Sequence, residues 1–220
     1  MEYLNTLFAC QSNCANLLIW TSIIGGYLCG SVPYGLLIGK FAGLGDIRKS
    51  GSGNIGATNM LRLGGKKLAL LTLFADIFKG VLPVIIAGAI APSYGLIAAL
   101  AAVFGHLFPI WLKFKGGKGV ATSIGVFIGL HLFTGFGVLI AWLLCAVAFR
   151  ISSLSALISI ALAPVFLYVM GQTHLIPVSI IIAALVWVRH QANIRRLVVG
   201  TEPRIGRTKS SSNASSKDAA

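Results

Sequence analysis

Long apolar segments alternate with short polar segments along this chain. No Lys or Arg occurs in residues 80–112, 119–149 or 151–188, and each of these stretches lies between two basic positions. A helix needs about 20 mostly apolar residues to cross a bilayer, and only helices or closed barrels can span one. The pattern therefore predicts an all-α, polytopic membrane helical bundle.

The basic residues indicate how often the chain crosses the membrane. They cluster in residues 40–67, 113–118 and 189–217, with Arg150 alone between the last two clusters. Cytoplasmic loops carry an excess of Lys and Arg, so all clusters are expected on one side of the membrane. Each basic-free stretch is then a hairpin that leaves that side and returns to it.

Turn residues near the middle of each apolar stretch agree with these hairpins. They lie at residues 91–95, 131–137 and 171–174. One span before Lys40 brings the prediction to seven transmembrane helices, with the N-terminus outside and the C-terminus cytoplasmic. Residues 119–149 are short for two full crossings, so we expect a short or tilted helix there. A five-span arrangement, in which that stretch crosses once, is the alternative.

Composition fits a membrane setting. Hydrophobic residues make up 56% of the 220 residues and charged residues only 10%, too little polar surface to cover a soluble globule. The net charge of +13 is clustered between apolar blocks, which does not favour a nucleic-acid partner. We expect residues 1–208 to form a single integral membrane domain and the Ser- and Ala-rich residues 209–220 to be a disordered tail.

Two glycine-rich segments carry the candidate chemistry. They are residues 51–59 and 115–122, and both lie beside basic residues. Glycines let backbone N–H groups converge on an anion, so each segment is a candidate phosphate loop. The second is not a nucleotide-binding P-loop, because Lys118 is followed by Gly119 and not by Ser or Thr. A helix beginning after it would direct its positive N-terminal end at the loop.

Polar residues within or near the spans are further candidates. Ser31, close to Pro33, predicts a helix break that either lines a cavity or is a packing kink whose glycines allow close helix approach. Arg62 would share a helix face with Thr58 and Asn59 if a helix begins there. Asp76 and Lys79 would meet on one face, as a structural pair or as a pair that positions the loops. His106 is a structural hydrogen-bonding residue or a participant in the site.

The end of the last span adds a polar face. His190 and Asn193 are three residues apart, so they project from one helical face toward the cytoplasmic mouth. A basic cap that stops membrane insertion explains the neighbouring arginines but does not require a His and an Asn in register. Ser153, at the mouth of another span, offers a further hydroxyl.

These segments together resemble a known family. The motifs are Gly30-Ser31-x-Pro33, the run 50–59 with Arg62, the run from Gly105-His106 to Thr122, and Arg189-His190-x-x-Asn193-x-x-Arg196. Over roughly residues 22–206 they are similar to those of bacterial acyl-phosphate-dependent glycerol-3-phosphate acyltransferases. The polar N-terminal stretch and the serine-rich tail lie outside the resemblance.

The resemblance implies an activity and a location. Such an enzyme transfers a fatty acyl group from acyl phosphate to the first hydroxyl of glycerol 3-phosphate, giving lysophosphatidic acid and phosphate. It is a multi-pass protein of the bacterial inner (cytoplasmic) membrane, its active site faces the cytoplasm, and it needs no cofactor and no metal. Its partners are its two substrates and membrane lipids; whether it is a monomer stays open.

The resemblance also implies site residues. The donor's phosphate lies over residues 51–58, and Ser52, Asn54 and Thr58 donate to it. The catalytic residues carried over are Lys118, His190 and Asn193. The substrate-binding residues are Ser31, Ser52, Gly53, Asn54, Gly56, Thr58, Asn59, Arg62, His106, Gly116, Gly117, Gly119, Thr122 and Ser153. Arg62 and Ser153, with the three catalytic residues, hold glycerol 3-phosphate.

Several alternatives remain open at this stage. We expect direct attack within a ternary complex, with either a substrate phosphate oxygen or His190 accepting the proton. A membrane transporter of a small phosphorylated metabolite would also have broken helices and basic loops, although the internal repeat expected of it is missing. A non-catalytic membrane anchor would leave both glycine loops without a role.

Overall fold

The computed structural model describes residues 2–206, with side chains described from residue 13 onward. Within this range there are helices and no strands, which confirms the all-α prediction. The helices are α1 (Glu2–Ser31), α2 (Tyr34–Phe41), α3 (Ala57–Gly88), α4 (Pro92–Leu107), α5 (Val120–Leu130), α6 (Leu132–Phe149), α7 (Ser152–Ala161), α8 (Ala163–Val169), α9 (Ile176–Arg189) and α10 (Gln191–Val198). The predicted tail, residues 209–220, lies outside the described part.

The helix breaks fall where the turn residues predict them. α1 ends at Ser31 and α2 begins after Pro33, so the first span is broken there. Helices also end and restart between residues 88 and 92, at His131, and between residues 169 and 176. Each of the three predicted turns therefore coincides with a break between helices.

Not every helix is long and apolar enough to cross a membrane. Among the described residues, five helical segments are long and apolar enough to span a membrane, or six if α9 and α10, bent by 65°, count as one. The expected short helix is α5, with 11 residues. Seven crossings require α5 to count as a span, so that number stays a prediction.

The short helix α5 lies at the centre of the bundle. Ile124, Val126 and Phe127 are buried in the main core, with Val103 from α4 and Val186 from α9. On the outside, large apolar side chains such as Phe74 on α3 and Leu144 on α6 are exposed. An apolar exterior around a packed helical core is the arrangement of a membrane bundle.

Backbones approach closely where glycines face a neighbouring helix. A Cβ on Gly30 of α1 would lie 2.0 Å from the carbonyl oxygen of Ala102 on α4. A Cβ on Gly125 of α5 would lie 2.0 Å from the carbonyl oxygen of Ile77 on α3. Small residues allow such contacts between membrane helices, so these glycines fix the helix spacing.

Several basic segments meet at one end of the bundle. Lys118 contacts Asn193 on α10, Thr58 at the start of α3 contacts Ser152 at the start of α7, and Arg150 bonds to the backbone of Ile205. This common end supports the hairpin interpretation of the apolar stretches, and it contains both glycine-rich segments.

Candidate active site

The first loop, residues 50–56, is held by one buried side chain. The Asn59 Oδ1 accepts from the backbone N–H of Ser52 at 2.8 Å, and its Nδ2 donates to the carbonyls of Ile47 and Ser50. Gly51 has φ +66°, and a Cβ there would lie 2.2 Å from the Asn59 Oδ1. Glycine is therefore required where the loop closes over Asn59.

Asn59 and Arg62 lie three residues apart on α3 but differ in burial. Asn59 is fully buried beneath the loop, whereas Arg62 is exposed. Asn59 shapes the loop from within, and the helix face that Arg62 would share with Thr58 and Asn59 stays a prediction. Ser52 and Gly53 are exposed, and Asn54, Gly56 and Thr58 are half-buried, so these positions remain reachable from outside. The helix predicted at this point does begin there, after Gly56.

The second loop, residues 113–119, folds back onto the end of α4. The N–H groups of Gly116 and Gly117 donate to the carbonyls of Leu107 and His106, at 3.2 and 3.1 Å. A Cβ on Gly117 would lie 2.1 Å from the His106 Nε2, so the imidazole packs directly against this glycine. These two N–H groups are engaged inside the protein. What the loop offers to an anion is Lys118 and the N-terminal end of α5.

An arginine holds the same loop from the other side. The Arg189 guanidinium donates to the carbonyl oxygens of Gly116, at 3.0 Å, and Gly117, at 3.2 Å, and lies over the Phe108 ring at 5.4 Å. Both carbonyl groups are thereby satisfied by a planar, two-pronged donor. Arg189 is a loop-positioning residue that sequence reasoning treated only as part of the closing motif.

Lys118 belongs to a polar cluster that gathers four segments of the chain. Its Nζ donates to the Asn193 Oδ1, and the Asn193 Nδ2 donates to Glu202. Glu202 also accepts from the Ser153 hydroxyl at 2.7 Å and from the Arg196 Nε at 2.7 Å. The second loop, α7, α10 and the segment after α10 thus meet at Glu202.

A further hydroxyl pair brings the first loop to this cluster. The Thr58 Oγ1 and the Ser152 Oγ lie 2.9 Å apart, and Ser152 directly precedes Ser153. The two glycine-rich segments, far apart in the sequence, therefore border one polar region.

Burial and neighbouring charges set the ionisation of this cluster. Burial, assisted by Arg196, Arg62 and Arg189, lowers the pKa of Lys118 to about 8, against the opposing effect of Glu202. Burial by itself would raise the pKa of Glu202, but hydrogen bonds from Ser153, Asn193 and Arg196 outweigh it, so its pKa lies below the ordinary value. One carboxylate among several cations leaves the region positive and suited to an anionic ligand.

His190 occupies the bend between α9 and α10. It is buried, and its Nδ1 lies 2.7 Å from the Val186 carbonyl oxygen. Because a carbonyl only accepts hydrogen bonds, the Nδ1 of the neutral ring must carry the proton. The Nε2 then has a free lone pair, as a proton acceptor needs.

Three predicted substrate-binding residues are buried inside the bundle. The Ser31 hydroxyl donates to the Leu28 carbonyl and accepts from the Trp111 Nε1 at 2.8 Å, so it joins α1 to the segment after α4. Thr122 is fully buried, and its carbonyl faces Gly80 of α3. His106 is 4% exposed beneath the second loop. The structure gives each of these a packing contact.

Sequence reasoning did not single out Ser152 or Glu202. Ser152 is one of two adjacent serines, and only the fold shows which contacts Thr58. Glu202 had a usable signal, because it is one of only five acidic residues and stands among basic ones. An isolated carboxylate in such a segment commonly serves as the partner of several cations.

Within the described residues, no group of three or more His, Cys, Asp or Glu side chains could hold a metal ion. A reaction without metal or cofactor stays a prediction. The fold and the site define the class of protein: a helical integral membrane protein with one basic polar site at the end of its bundle.

Comparison with known proteins assigns the chain within this class. Residues 20–200 match the family model for glycerol-3-phosphate acyltransferase. Curated relatives named glycerol-3-phosphate acyltransferase include one from Mesorhizobium japonicum, 49% identical over 84% of this chain and 95% of its own length. Another, from Sinorhizobium medicae, is 52% identical over 84% of this chain and 91% of its own length.

Solved structures agree with this assignment. The crystal structure of PlsY (YgiH), an integral membrane glycerol 3-phosphate acyltransferase in its glycerol 3-phosphate form, superposes with a TM-score of 0.81. It is 38% identical, over 86% of this chain and 96% of that one. The lysophosphatidic acid form of PlsY gives a TM-score of 0.80 at 37% identity, over 86% of this chain and 95% of that one.

The chain belongs to the glycerol-3-phosphate acyltransferase family. It is therefore an enzyme, an acyltransferase that resides in a membrane.

Proposed function

We propose that this enzyme transfers a fatty acyl group from acyl phosphate to the first hydroxyl of glycerol 3-phosphate, giving lysophosphatidic acid and phosphate. The observation that carries the proposal is the polar cluster of Lys118, Asn193, Ser153 and Glu202, which Thr58 and Ser152 join to the first glycine loop. Two phosphate-bearing substrates need two adjacent anion sites beside an apolar membrane, and this arrangement supports such a pair of sites.

The two loops hold different substrates in this proposal. The donor's phosphate lies over the exposed first loop, where Ser52, Asn54 and Thr58 supply donors. Glycerol 3-phosphate binds at Lys118 with Arg62, Ser153, Asn193 and His190 around it. Its phosphate displaces the Asn193 amide oxygen from the Lys118 ammonium, because a doubly charged phosphate attracts the cation more strongly than a neutral amide does.

The chemical step is a direct displacement. The hydroxyl oxygen of glycerol 3-phosphate bonds to the acyl carbonyl carbon, the bond from that carbon to the phosphate oxygen breaks, and phosphate leaves with the electron pair. Holding the two reactants in contact can contribute about 7–11 kcal/mol to lowering the barrier. Hydrogen-bond donors of the first loop, directed at the leaving phosphate, stabilise the charge that develops there.

The proton of the attacking hydroxyl has two candidate acceptors, a substrate phosphate oxygen and the His190 Nε2. A His190→Ala variant distinguishes them. Full transfer activity in this variant would exclude the histidine and assign the proton to the phosphate. A loss of kcat without a rise in the KM for glycerol 3-phosphate would assign it to His190.

We place the site on the cytoplasmic side of the inner membrane and count seven crossings, with α5 as the short one. Support comes from the basic segments that meet at one end of the bundle, since positive loops stay in the cytoplasm. Residues 1–208 then form one domain, with the N-terminus outside. Membership of an acyltransferase family gives no support to the transporter alternative.

The reaction itself tests the proposal. Purified protein in detergent, given labelled glycerol 3-phosphate and palmitoyl phosphate, should form labelled lysophosphatidic acid with no membrane compartment present. Replacing palmitoyl phosphate by palmitoyl-CoA should give no product. Absence of product with palmitoyl phosphate would refute the proposed reaction.

A further inference from the structure

Two charged residues lie buried in the middle of α3, inside a segment that is apolar enough to span the membrane. Asp76 and Lys79 are 2% and 1% exposed, and the Lys79 Nζ lies 2.7 Å from the Asp76 Oδ1. Charges in membrane helices are costly, and they commonly mark functional positions when they persist. The contacts of Lys79 and of Asp76 show which parts of the structure this ion pair holds in place.

Lys79 reaches the helix break in the first span. Its Nζ donates to the carbonyl oxygen of Val32 at 2.8 Å, where α1 has ended and Pro33 leads into α2. Gly35, two residues after Pro33, packs against the first loop, since a Cβ there would lie 1.8 Å from the Ile55 carbonyl oxygen. The ammonium group therefore fixes the backbone against which the first glycine loop rests.

The Asp76 carboxylate faces His106, the side chain that lies beneath the second loop. Its Oδ1 lies 3.9 Å from the Nδ1 of His106, and that Nδ1 has no hydrogen-bond partner among the residues that the structure describes. A shift of about 1 Å would bring the two atoms to hydrogen-bond distance. The same imidazole packs against Gly117, next to Lys118. The His106 side chain thus lies between the Asp76 carboxylate and the second glycine loop.

Stability alone gives little reason for such a pair. Removing two charges from water costs more than their mutual attraction commonly returns, and apolar replacements of a buried ion pair are often neutral or stabilising. Asp76 and Lys79 also do not touch the polar cluster around Lys118. Lys79 instead contacts the Val32 backbone near the first loop, and Asp76 faces the His106 side chain beneath the second loop.

We propose that Asp76 and Lys79 are positioning residues that set the place of both glycine loops, Lys79 through the Val32 carbonyl and Asp76 through His106. The inference rests on the proposed function, because it assigns one substrate to each loop. It predicts that loss of the pair weakens the binding of both substrates without unfolding the protein.

The test uses the double variant Asp76→Asn/Lys79→Met of the full chain in detergent, which removes both charges at nearly constant side-chain volume. The KM values for glycerol 3-phosphate and for palmitoyl phosphate should each rise about tenfold or more, since a small displacement of a positioning group has a large kinetic effect. The melting temperature without ligand should stay close to that of the wild type. A mere loss of folded protein would lower kcat and leave both KM values unchanged.

Ser179→Ala is the matched control. Ser179 is equally buried, on α9, but its hydroxyl bonds within that helix, to the Ile176 carbonyl. This variant should keep wild-type KM values. An unchanged KM for either substrate in the double variant would overturn the inference that the pair positions both loops.

Two further measurements cover the remaining outcomes. If the double variant does not fold, Asp76→Glu keeps the charge pair but pushes a longer side chain against His106. A wild-type KM for glycerol 3-phosphate in that variant would equally overturn the inference.

Ligand binding is measured separately, as the rise in melting temperature that glycerol 3-phosphate causes. If wild-type protein shows that rise but forms no product, the proposed reaction fails, and a smaller rise in the double variant still supports the positioning role.

Discussion

Lys118 is the side chain in the site whose charge depends most on pH near neutrality. It comes from a glycine-rich loop, but the loop's own N–H groups at Gly116 and Gly117 are directed inward. The anion site therefore depends on one side chain more than on a cradle of backbone groups. Burial beside Arg62, Arg189 and Arg196 places the pKa of Lys118 at about 8, so its charge is lost in mildly alkaline solution.

Glycerol 3-phosphate should bind more weakly as the pH rises above about 8. Its phosphate is already doubly charged above pH ~7, so the change comes from deprotonation of Lys118. The KM should rise about tenfold per pH unit beyond that pKa. Lys118→Arg should remove this dependence, because a guanidinium stays charged. A wild-type KM that is constant from pH 7 to 10 would contradict the assignment of Lys118.

Lys118→Ala should lower kcat/KM about a hundredfold, the typical loss when one charged donor is removed from a site. The melting temperature without ligand should change little, since Asn193 keeps its bond to Glu202 when the lysine is removed. Equal losses of activity and of stability would identify Lys118 as a structural lysine.

The segment after α10 acts as a strap across the end of the bundle that carries the site. Glu202 ties it to α7 through Ser153 and to α10 through Asn193 and Arg196, and Ile205 pairs with the backbone of Arg150. Helices of eight to ten residues such as α7 and α10 have little stability of their own. Their place in the site depends on such contacts between elements.

Glu202→Gln should loosen this strap. The loss of charged hydrogen bonds should cost about 2 kcal/mol, or about 4–8 °C in melting temperature. Because the pKa of Glu202 lies below the ordinary 4.5, its contribution is present above that pH and is lost as the pH falls through the lower, folded-state pKa. The wild type and the variant should therefore converge in stability in acid. Arg204→Gln, at an exposed position of the same segment, is the control and should not change stability.

The whole molecule is assembled by close helix contacts around the short, buried α5. α1 and α4 approach each other at Gly30, where the Ala102 carbonyl lies against the glycine. Membrane helices gain little from burying apolar surface out of lipid, so this packing carries much of the stability. The site at the end of the bundle depends on it, because the helices that carry its residues are set by these contacts.

Gly30→Ala should destabilise the bundle by about 1–3 kcal/mol, the usual cost of overpacking, and lower the melting temperature by several degrees. Gly25→Ala is a stringent control on the same helix, since a Cβ at Gly25 would meet no atom within 4 Å. It should leave the melting temperature unchanged or raise it slightly, because alanine favours helix. Equal melting temperatures for the two variants would show that the contact does not hold the bundle together.

The amino-acid sequence by itself determined the helical class, the hairpin turns and the two glycine-rich segments, because hydrophobic pattern, turn residues and glycine clusters are local signals. It also supplied the family, through motifs whose spacing is specific. Only the tertiary structure decided the roles within the site. Asn59 is turned beneath its loop although it lies three residues from the exposed Arg62, and Glu202 bonds to Ser153, which lies 49 residues away along the chain. Such contacts depend on how helices cross and on where a chain returns, and no local pattern encodes either.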